Sequence, residues 1–216
     1  MAVTSYTLAR TATTIDRDPD DANRWTGYNN AKLRNANYAE SLPDKETRSE
    51  WLRLTNFDFD IPVGATIVGI EVQIKRYADV VTIIEDDAIY LRKTVGQVGN
   101  NYASATTWPT TVTIETYGGA TILWGTTWNA ADINSSDFGI DIANYNTASD
   151  DTTKTYVDYA DIRIHYTTEA ATGTNIQVNV NDAMKDVATA YVNVDDSWKE
   201  VANAYCQVDD AWKTIF

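Results

Sequence analysis

The sequence has very little of the residues on which most catalytic and metal sites depend. Its 216 residues include one cysteine, one histidine, and 17 lysines and arginines against 31 aspartates and glutamates, which gives a formal net charge of −14. One cysteine cannot form a disulfide within the chain. One histidine excludes a histidine-cluster metal site and most histidine-based catalysis. The shortage of basic residues argues against nucleic acid as a partner, since phosphate binding needs a basic patch.

Long apolar runs are missing as well. No segment approaches the roughly 18 consecutive apolar residues of a membrane-spanning helix. The N-terminal residues do not show the charged-then-apolar pattern of a signal peptide. We therefore expect no membrane insertion.

What the sequence does contain is typical of β-structure. It has 30 threonines, 13 tyrosines and 7 tryptophans, and branched and aromatic side chains suit a pleated surface. Several segments alternate apolar and polar residues, which places the apolar side chains on one face of a strand. The apolar members are Phe57, Phe59 and Ile61; Ile70, Val72 and Ile74; Ile89 and Leu91; Phe138, Ile140 and Ile142; and Ala160, Ile162, Ile164 and Tyr166. The residues between them, such as Asp58, Asp141, Asp161, Arg163 and His165, are predicted to face away.

Turn-forming residues separate these segments, and many short strands with turns between them predict a β-sandwich or barrel over residues 1–168. Residues before about position 50 alternate poorly, so loops are predicted there, with a short helix near residues 44–50. Residues 169–175 are small and polar and are predicted to be a linker.

An internal repeat with a period of 14 residues follows the linker, over residues 176–216. The unit over 177–190 is followed without insertion by units over 191–204 and 205–216, the last cut short by the chain end. Equivalent positions carry Val180, Val194 and Val208; Asp182, Asp196 and Asp210; Met184, Trp198 and Trp212; and Lys185, Lys199 and Lys213.

A unit of this length suits a β-hairpin, with strands near 191–194 and 198–201 and a turn at the acidic residues between them. A three-residue turn would place Val194 opposite Trp198, whereas a two-residue turn would shift that pairing; the sequence leaves both open. A helix is a further alternative, because the acidic residues resemble a helix cap. Three hairpins of this size bury little surface alone, so we expect them to need a partner chain or the main domain.

The candidate catalytic residues have ordinary explanations. His165 has no accompanying nucleophile motif and is interpreted as a surface residue of a strand. Cys206 takes the position of Val178 and Val192 in the sister repeats, and is interpreted as a small apolar side chain and not a reactive thiol.

Acidic clusters are the candidate cation sites, since calcium is bound by several oxygen ligands. They are the group Asp16, Asp18, Asp20 and Asp21, the run at 85–87, and the pair at 150–151. The first group fails as an EF-hand, because its sixth position is Asp21 and its twelfth is Gly27. We interpret these clusters as solvated loops and assign no metal and no cofactor. Paired carboxylates for polysaccharide cleavage are a weaker alternative, since no acid pair stands out.

Three tryptophans raise the possibility of a sugar-binding surface. Trp108, Trp124 and Trp128 would form a stacking platform for glycans, because aromatic faces present flat apolar area. The alternative is that they close the core of the β-sandwich.

Three sequence segments resemble proteins of tailed-bacteriophage virions. They are NFDFDIPVGATIVGIEVQI (56–74), YGGATILWGTTWNAADINSSDFGIDI (117–142) and VDYADIRIHYT (157–167). The tail repeats resemble units of the form YVnVnG-WKeV near the C-termini of many phage structural proteins, with Asp-Asp where Asn-Gly is common in the turn. The resemblance implies an all-β fold: a jelly-roll-like antiparallel β-sandwich followed by a small β-hairpin repeat domain.

The resemblance also implies a function. It predicts a non-enzymatic structural protein located in the virion, as a tail, neck, fibre or head-decoration component, with other virion proteins as partners. We expect a homo-oligomer, a trimer by analogy with phage fibres and decorations, held together by the repeats. Val194, Trp198, Val208 and Trp212 are the predicted docking residues. The alternative function is a carbohydrate-binding module that contacts host surface glycans.

Overall fold

Most of the alternating segments of the sequence form the long strands of two antiparallel sheets. The computed structural model describes residues 2–15, 23–80, 83–149 and 152–168, together with short strands between 176 and 214. The chain divides into two compact units, Met1–Thr168 and Glu169–Phe216.

The elements of the first unit are short at the N-terminus and longer after residue 50. Its strands are β1 (Ala2–Val3), β2 (Thr7–Leu8), β3 (Thr11–Ile15), β4 (Ala39–Ser41), β5 (Trp51–Thr55), β6 (Thr66–Ala78), β7 (Ile84–Lys93), β8 (Gly96–Val98), β9 (Thr113–Gly119), β10 (Gly139–Asn146) and β11 (Thr155–Thr167). A 3₁₀ helix covers Tyr28–Ala31, and α1 covers Ala130–Asn134 with Asn129 as its N-cap. Among the described residues, no helix is long and apolar enough to cross a membrane.

Strand pairing in the first unit is nested. β4 pairs with β11, β5 with β10, β6 with β9, and β7 with β8, so the first of these strands meets the last. Further pairs β6–β11 and β7–β10 assemble these ribbons into two sheets. Sheet A has the order β4–β11–β6–β9, with β1 and β2 also on the β4 side of β11, and sheet B has the order β3–β5–β10–β7–β8. This is the strand order of a jelly-roll β-sandwich, which confirms the predicted fold class.

The core lies between the two sheets and follows the predicted alternation. In β6, Ile70, Val72 and Ile74 are buried, and Ile162 and Ile164 of β11 are buried beside them in the same sheet. Sheet B contributes the buried side chains of Leu52, Leu54, Ile89, Leu91, Ile140 and Ile142. The period of two therefore identified the inward face of each long strand correctly.

Two local predictions are wrong. Residues 44–50 form a turn and an isolated bridge instead of a helix. Phe57, Phe59 and Ile61 are buried as expected, but they belong to a loop, because Asn56 and Asp58 adopt positive φ angles of 58° and 56°. Left-handed backbone angles are incompatible with a regular strand.

The second unit contains hairpins, each forming its own two-stranded sheet. Their strands are β12 (Ile176–Val180) with β13 (Ala183–Val187), β14 (Tyr191–Val194) with β15 (Ser197–Glu200), and β16 (Tyr205–Val208) with β17 (Ala211–Thr214). The repeat therefore forms hairpins and not helices.

The register of the hairpins decides between the two turn lengths left open by the sequence. Val194 is opposite Ser197 and Trp198 is opposite Asn193, so two residues separate the strands. In a hairpin the loop length fixes the register. The repeats are equivalent, since Val178, Val192 and Cys206 each lie opposite a lysine.

Candidate functional site

The three tryptophans proposed as a glycan platform are buried, so that platform is wrong. Trp108 is 1% exposed, Trp124 0% and Trp128 8%. Each indole N–H also donates a hydrogen bond inside the protein: to Asp86 Oδ1 at 2.9 Å, to the Ile70 carbonyl at 3.0 Å and to the Leu123 carbonyl at 2.9 Å, respectively. A satisfied indole with no exposed face packs the core and does not stack on a sugar.

Trp124 occupies a close-fitting site beside β6, β9 and Tyr102. Its ring packs against Tyr102 with the centroids 4.3 Å apart. A Cβ atom at Gly118 would come within 2.3 Å of the Ile70 carbonyl oxygen and 2.5 Å of Trp124 Nε1, and Gly118 has a φ of 73°. Glycine is therefore needed at Gly118 for both its conformation and its size.

A buried ion pair joins the two sheets. Arg76 of β6 pairs with Asp86 of β7, and their side chains are 3% and 0% exposed. The Asp86 carboxylate also accepts hydrogen bonds from Trp108 Nε1, from Tyr117 Oη at 2.8 Å and from the Ser104 backbone N–H at 3.0 Å. Burial, and then the negative charge of Asp86, raise the pKa of Tyr117, so the phenol stays a hydrogen-bond donor.

The outward side of sheet B carries a second carboxylate network. Asp141 of β10 lies between Ile140 and Ile142, which face the core, so its side chain is on the opposite face. It accepts two hydrogen bonds from Arg53, at 2.8 and 2.9 Å, and one from Gln97 Nε2 at 2.9 Å. The Arg92 Nε atom lies 3.7 Å from Asp141 Oδ1. These side chains cover Asp141, so the predicted outward direction is confirmed although the carboxylate is 0% exposed.

Aromatic side chains lie beside this network. The rings of Trp51 on β5 and Tyr90 on β7 meet edge to face, with centroids 6.5 Å apart and planes at 70°. Arg48 lies over the ring of Tyr145 at 5.4 Å and pairs with Asp87 at 2.6 Å. All three rings are partly exposed. We call these residues, with Arg53, Arg92, Gln97 and Asp141, the outer face of sheet B.

His165 is also buried, although it was predicted to be a surface residue. It is 7% exposed, on the outward side of sheet A, next to β1, where Val3 is its partner in register. Its Nε2 atom lies 3.9 Å from Glu71 Oε2, and Glu71 also accepts hydrogen bonds from Tyr6 and from Arg163. Burial by itself would raise the pKa of Glu71, but these hydrogen bonds hold the pKa below its ordinary value. Tyr6, between β1 and β2, bonds to Glu71 and lies against Arg163, so N-terminal residues help to shield this face.

Burial and the neighbouring Arg163 lower the pKa of His165, while Glu71 opposes this. The folded chain therefore binds a proton at His165 less readily than the unfolded chain, whose imidazole has the ordinary pKa of 6.5. The free energy of unfolding consequently falls as the pH decreases through that region. We expect the imidazole NMR signal, which is unambiguous because the chain has one histidine, to titrate below 6.5. A His165→Asn variant should lose less stability than the wild type between about pH 7.5 and 5.5. A midpoint at or above the ordinary value would contradict this.

The predicted acidic clusters give no cation site where they are described. Asp86 and Asp87 pair with Arg76 and Arg48, respectively. The group at 16–21 and the pair at 150–151 lie outside the described residues. In the part of the chain that the structure describes, no group of three or more His, Cys, Asp or Glu residues is placed to hold a metal ion.

The docking residues of the repeat are placed by their backbone register alone. Val194 and Val208 each end the first strand of a hairpin, and Trp198 and Trp212 each follow the first residue of the returning strand. Their side chains lie outside the described part of the chain. Their role in docking stays a prediction.

Comparisons with known proteins add one structural likeness. No family profile and no curated protein matches the chain. A solved structure titled "CBM4 structure and function" is similar at 16% sequence identity over 62% of this chain and 87% of that chain, with a TM-score of 0.35.

Proposed function

We propose that the chain is a non-enzymatic structural component of a tailed-bacteriophage virion, and that its C-terminal hairpins mediate assembly. The observation that carries the assembly role is that, among the described residues, the strands of each hairpin pair only with each other. A single two-stranded hairpin is marginally stable in water. A partner that adds strands to the hairpin edges would satisfy their backbone N–H and C=O groups, which is a common mode of protein association.

The position of the phage-like segments within the sandwich supports the structural role. The segments that resemble phage proteins contribute to β6, β10 and β11, each of which has a neighbouring strand on both sides. The resemblance thus extends over the core-forming strands as well as the loops. A closed core with a buried ion pair between its sheets suits a rigid building block.

Deletion of residues 176–216 tests this function. The truncated chain is expected to keep the thermal unfolding of the sandwich but to lose self-association in sedimentation experiments and incorporation into virions in a complementation assay. Within the full chain, Trp198→Ala combined with Trp212→Ala should weaken assembly. The matched control is Lys199→Ala with Lys213→Ala, which changes the adjacent positions of the same strands.

The two experiments separate the assembly role from a general loss of folding. If the truncated chain associates and is incorporated like the full chain, the hairpins do not mediate assembly. If the lysine and tryptophan variants are impaired equally, Trp198 and Trp212 are not the specific docking residues.

A further inference from the structure

The outer face of sheet B carries a network of hydrogen bonds and ion pairs centred on Asp141. Asp141 is buried although it lies on the outward face, and its carboxylate accepts three hydrogen bonds from protein side chains. Burying a paired charge contributes little net stability, because desolvation offsets the attraction. The network does, however, hold the Arg53 and Gln97 side chains in fixed positions. Their remaining N–H groups are thereby oriented in advance, which lowers the entropic cost of binding a polar ligand.

The aromatic rings of this face supply the complementary apolar contact. Trp51 and Tyr90 are partly exposed and fix each other by their edge-to-face contact. Ala88 of β7 and Ala143 of β10 are paired in register, and their small side chains leave space beside the two rings. Flat apolar rings next to planar hydrogen-bonding groups suit a ligand with both C–H faces and hydroxyl groups.

The charges of the face indicate that the ligand is uncharged. Arg48 pairs with Asp87, and Arg53 and Arg92 lie beside Asp141. Glu85 of β7, opposite Tyr145 in register, adds a third carboxylate, so three arginines meet three acids on a chain that carries −14. A balanced face on a strongly acidic protein offers no net attraction to an anion. The same balance offers a cation no net local attraction either.

We propose that the outer face of sheet B binds uncharged polysaccharides. Trp51 and Tyr90 stack on sugar rings, Arg53 and Gln97 donate hydrogen bonds to hydroxyl groups, and Asp141 is the positioning residue that orients both donors. This site is separate from the buried tryptophans, and all of its residues belong to the first unit.

Affinity electrophoresis of the full chain tests the proposal. The gels would contain dextran, mannan, galactomannan or a soluble β-glucan as uncharged polymers, and alginate or polygalacturonate as acidic ones. We expect retardation by at least one uncharged polymer and by neither acidic one. Trp51→Ala or Tyr90→Ala should weaken binding about tenfold or more.

Two further variants separate a loss of binding from a loss of folding. Gln97 is exposed at the edge strand, so Gln97→Ala should leave the fold intact and still weaken binding several-fold. Tyr156→Ala is the matched control, because Tyr156 is a partly exposed tyrosine on the outward side of sheet A, stacked on Tyr77 at 4.4 Å. The proposal is overturned if no uncharged polymer retards the wild type, if only acidic polymers do, or if Tyr156→Ala abolishes binding while the sheet B variants do not.

Discussion

An Asp86→Ala variant is expected to lose about 3–5 kcal/mol of the free energy of unfolding of the sandwich, because Arg76 would stay buried without its counter-ion. The side chains of this pair are 3% and 0% exposed. Removal of the carboxylate also leaves Trp108 Nε1 and the Tyr117 hydroxyl without their acceptor. Each unpaired buried donor adds its own desolvation cost. Urea denaturation of the full chain, followed by tryptophan fluorescence and circular dichroism, would measure the loss.

The neighbouring acid provides a matched control for Asp86. Asp87 pairs with Arg48, whose side chain is 58% exposed, so Asp87→Ala should cost no more than about 1 kcal/mol. An Arg76→Met, Asp86→Leu double variant should recover much of the stability lost by Asp86→Ala, because it removes both buried charges together. Equal losses for Asp86→Ala and Asp87→Ala would show that Arg76 finds solvent or another partner.

A Trp124→Ala variant is expected to destabilise the sandwich by about 3–5 kcal/mol, since a large buried aromatic side chain is replaced by a cavity. Trp124 is fully buried, packs against Tyr102 and donates to the Ile70 carbonyl. Thermal and urea denaturation of the full chain would give the size of the loss.

Trp124→Phe separates the hydrogen bond from the packing. It keeps most of the ring but leaves the Ile70 carbonyl without its indole donor, so about 1–3 kcal/mol is expected. If the alanine and phenylalanine variants are equally stable, packing of the ring contributes nothing, and the description of Trp124 as a core residue is wrong.

The sequence predicts which face of a long strand packs in the core, since burial in β6 alternates from Ile70 onwards with its apolar residues. It does not predict what covers the opposite face. Asp141 and His165 were both placed on outward faces, and both are buried. Asp141 is covered by side chains of the neighbouring strands. Beside His165, Tyr6 contacts Glu71 and Arg163, and Tyr6 lies in an N-terminal segment that shows no alternation of its own.

The candidate sites are harder to predict than the strands for a related reason. Trp108, Trp124 and Trp128 follow one another in loop-like sequence, and nothing local distinguishes a buried loop tryptophan from an exposed one. Asp86 lies in an acidic run of the kind that is usually solvated. The departure from regular alternation in β7, where Asp86 and Ile89 both face inward, comes from a bulge that only the pairing with β10 reveals.

The nested pairing has a consequence for the order in which the protein is made. β11 is the last strand of the sandwich, yet β1, β2, β4 and β6 all bond to it. During synthesis the earlier strands of sheet A, apart from the β6–β9 pair, therefore wait for residues 155–167 before they gain their partner. Such long-range closure makes folding slow and keeps strand edges open in the unfinished chain. The net negative charge of the chain opposes association through these open edges until β11 has been made.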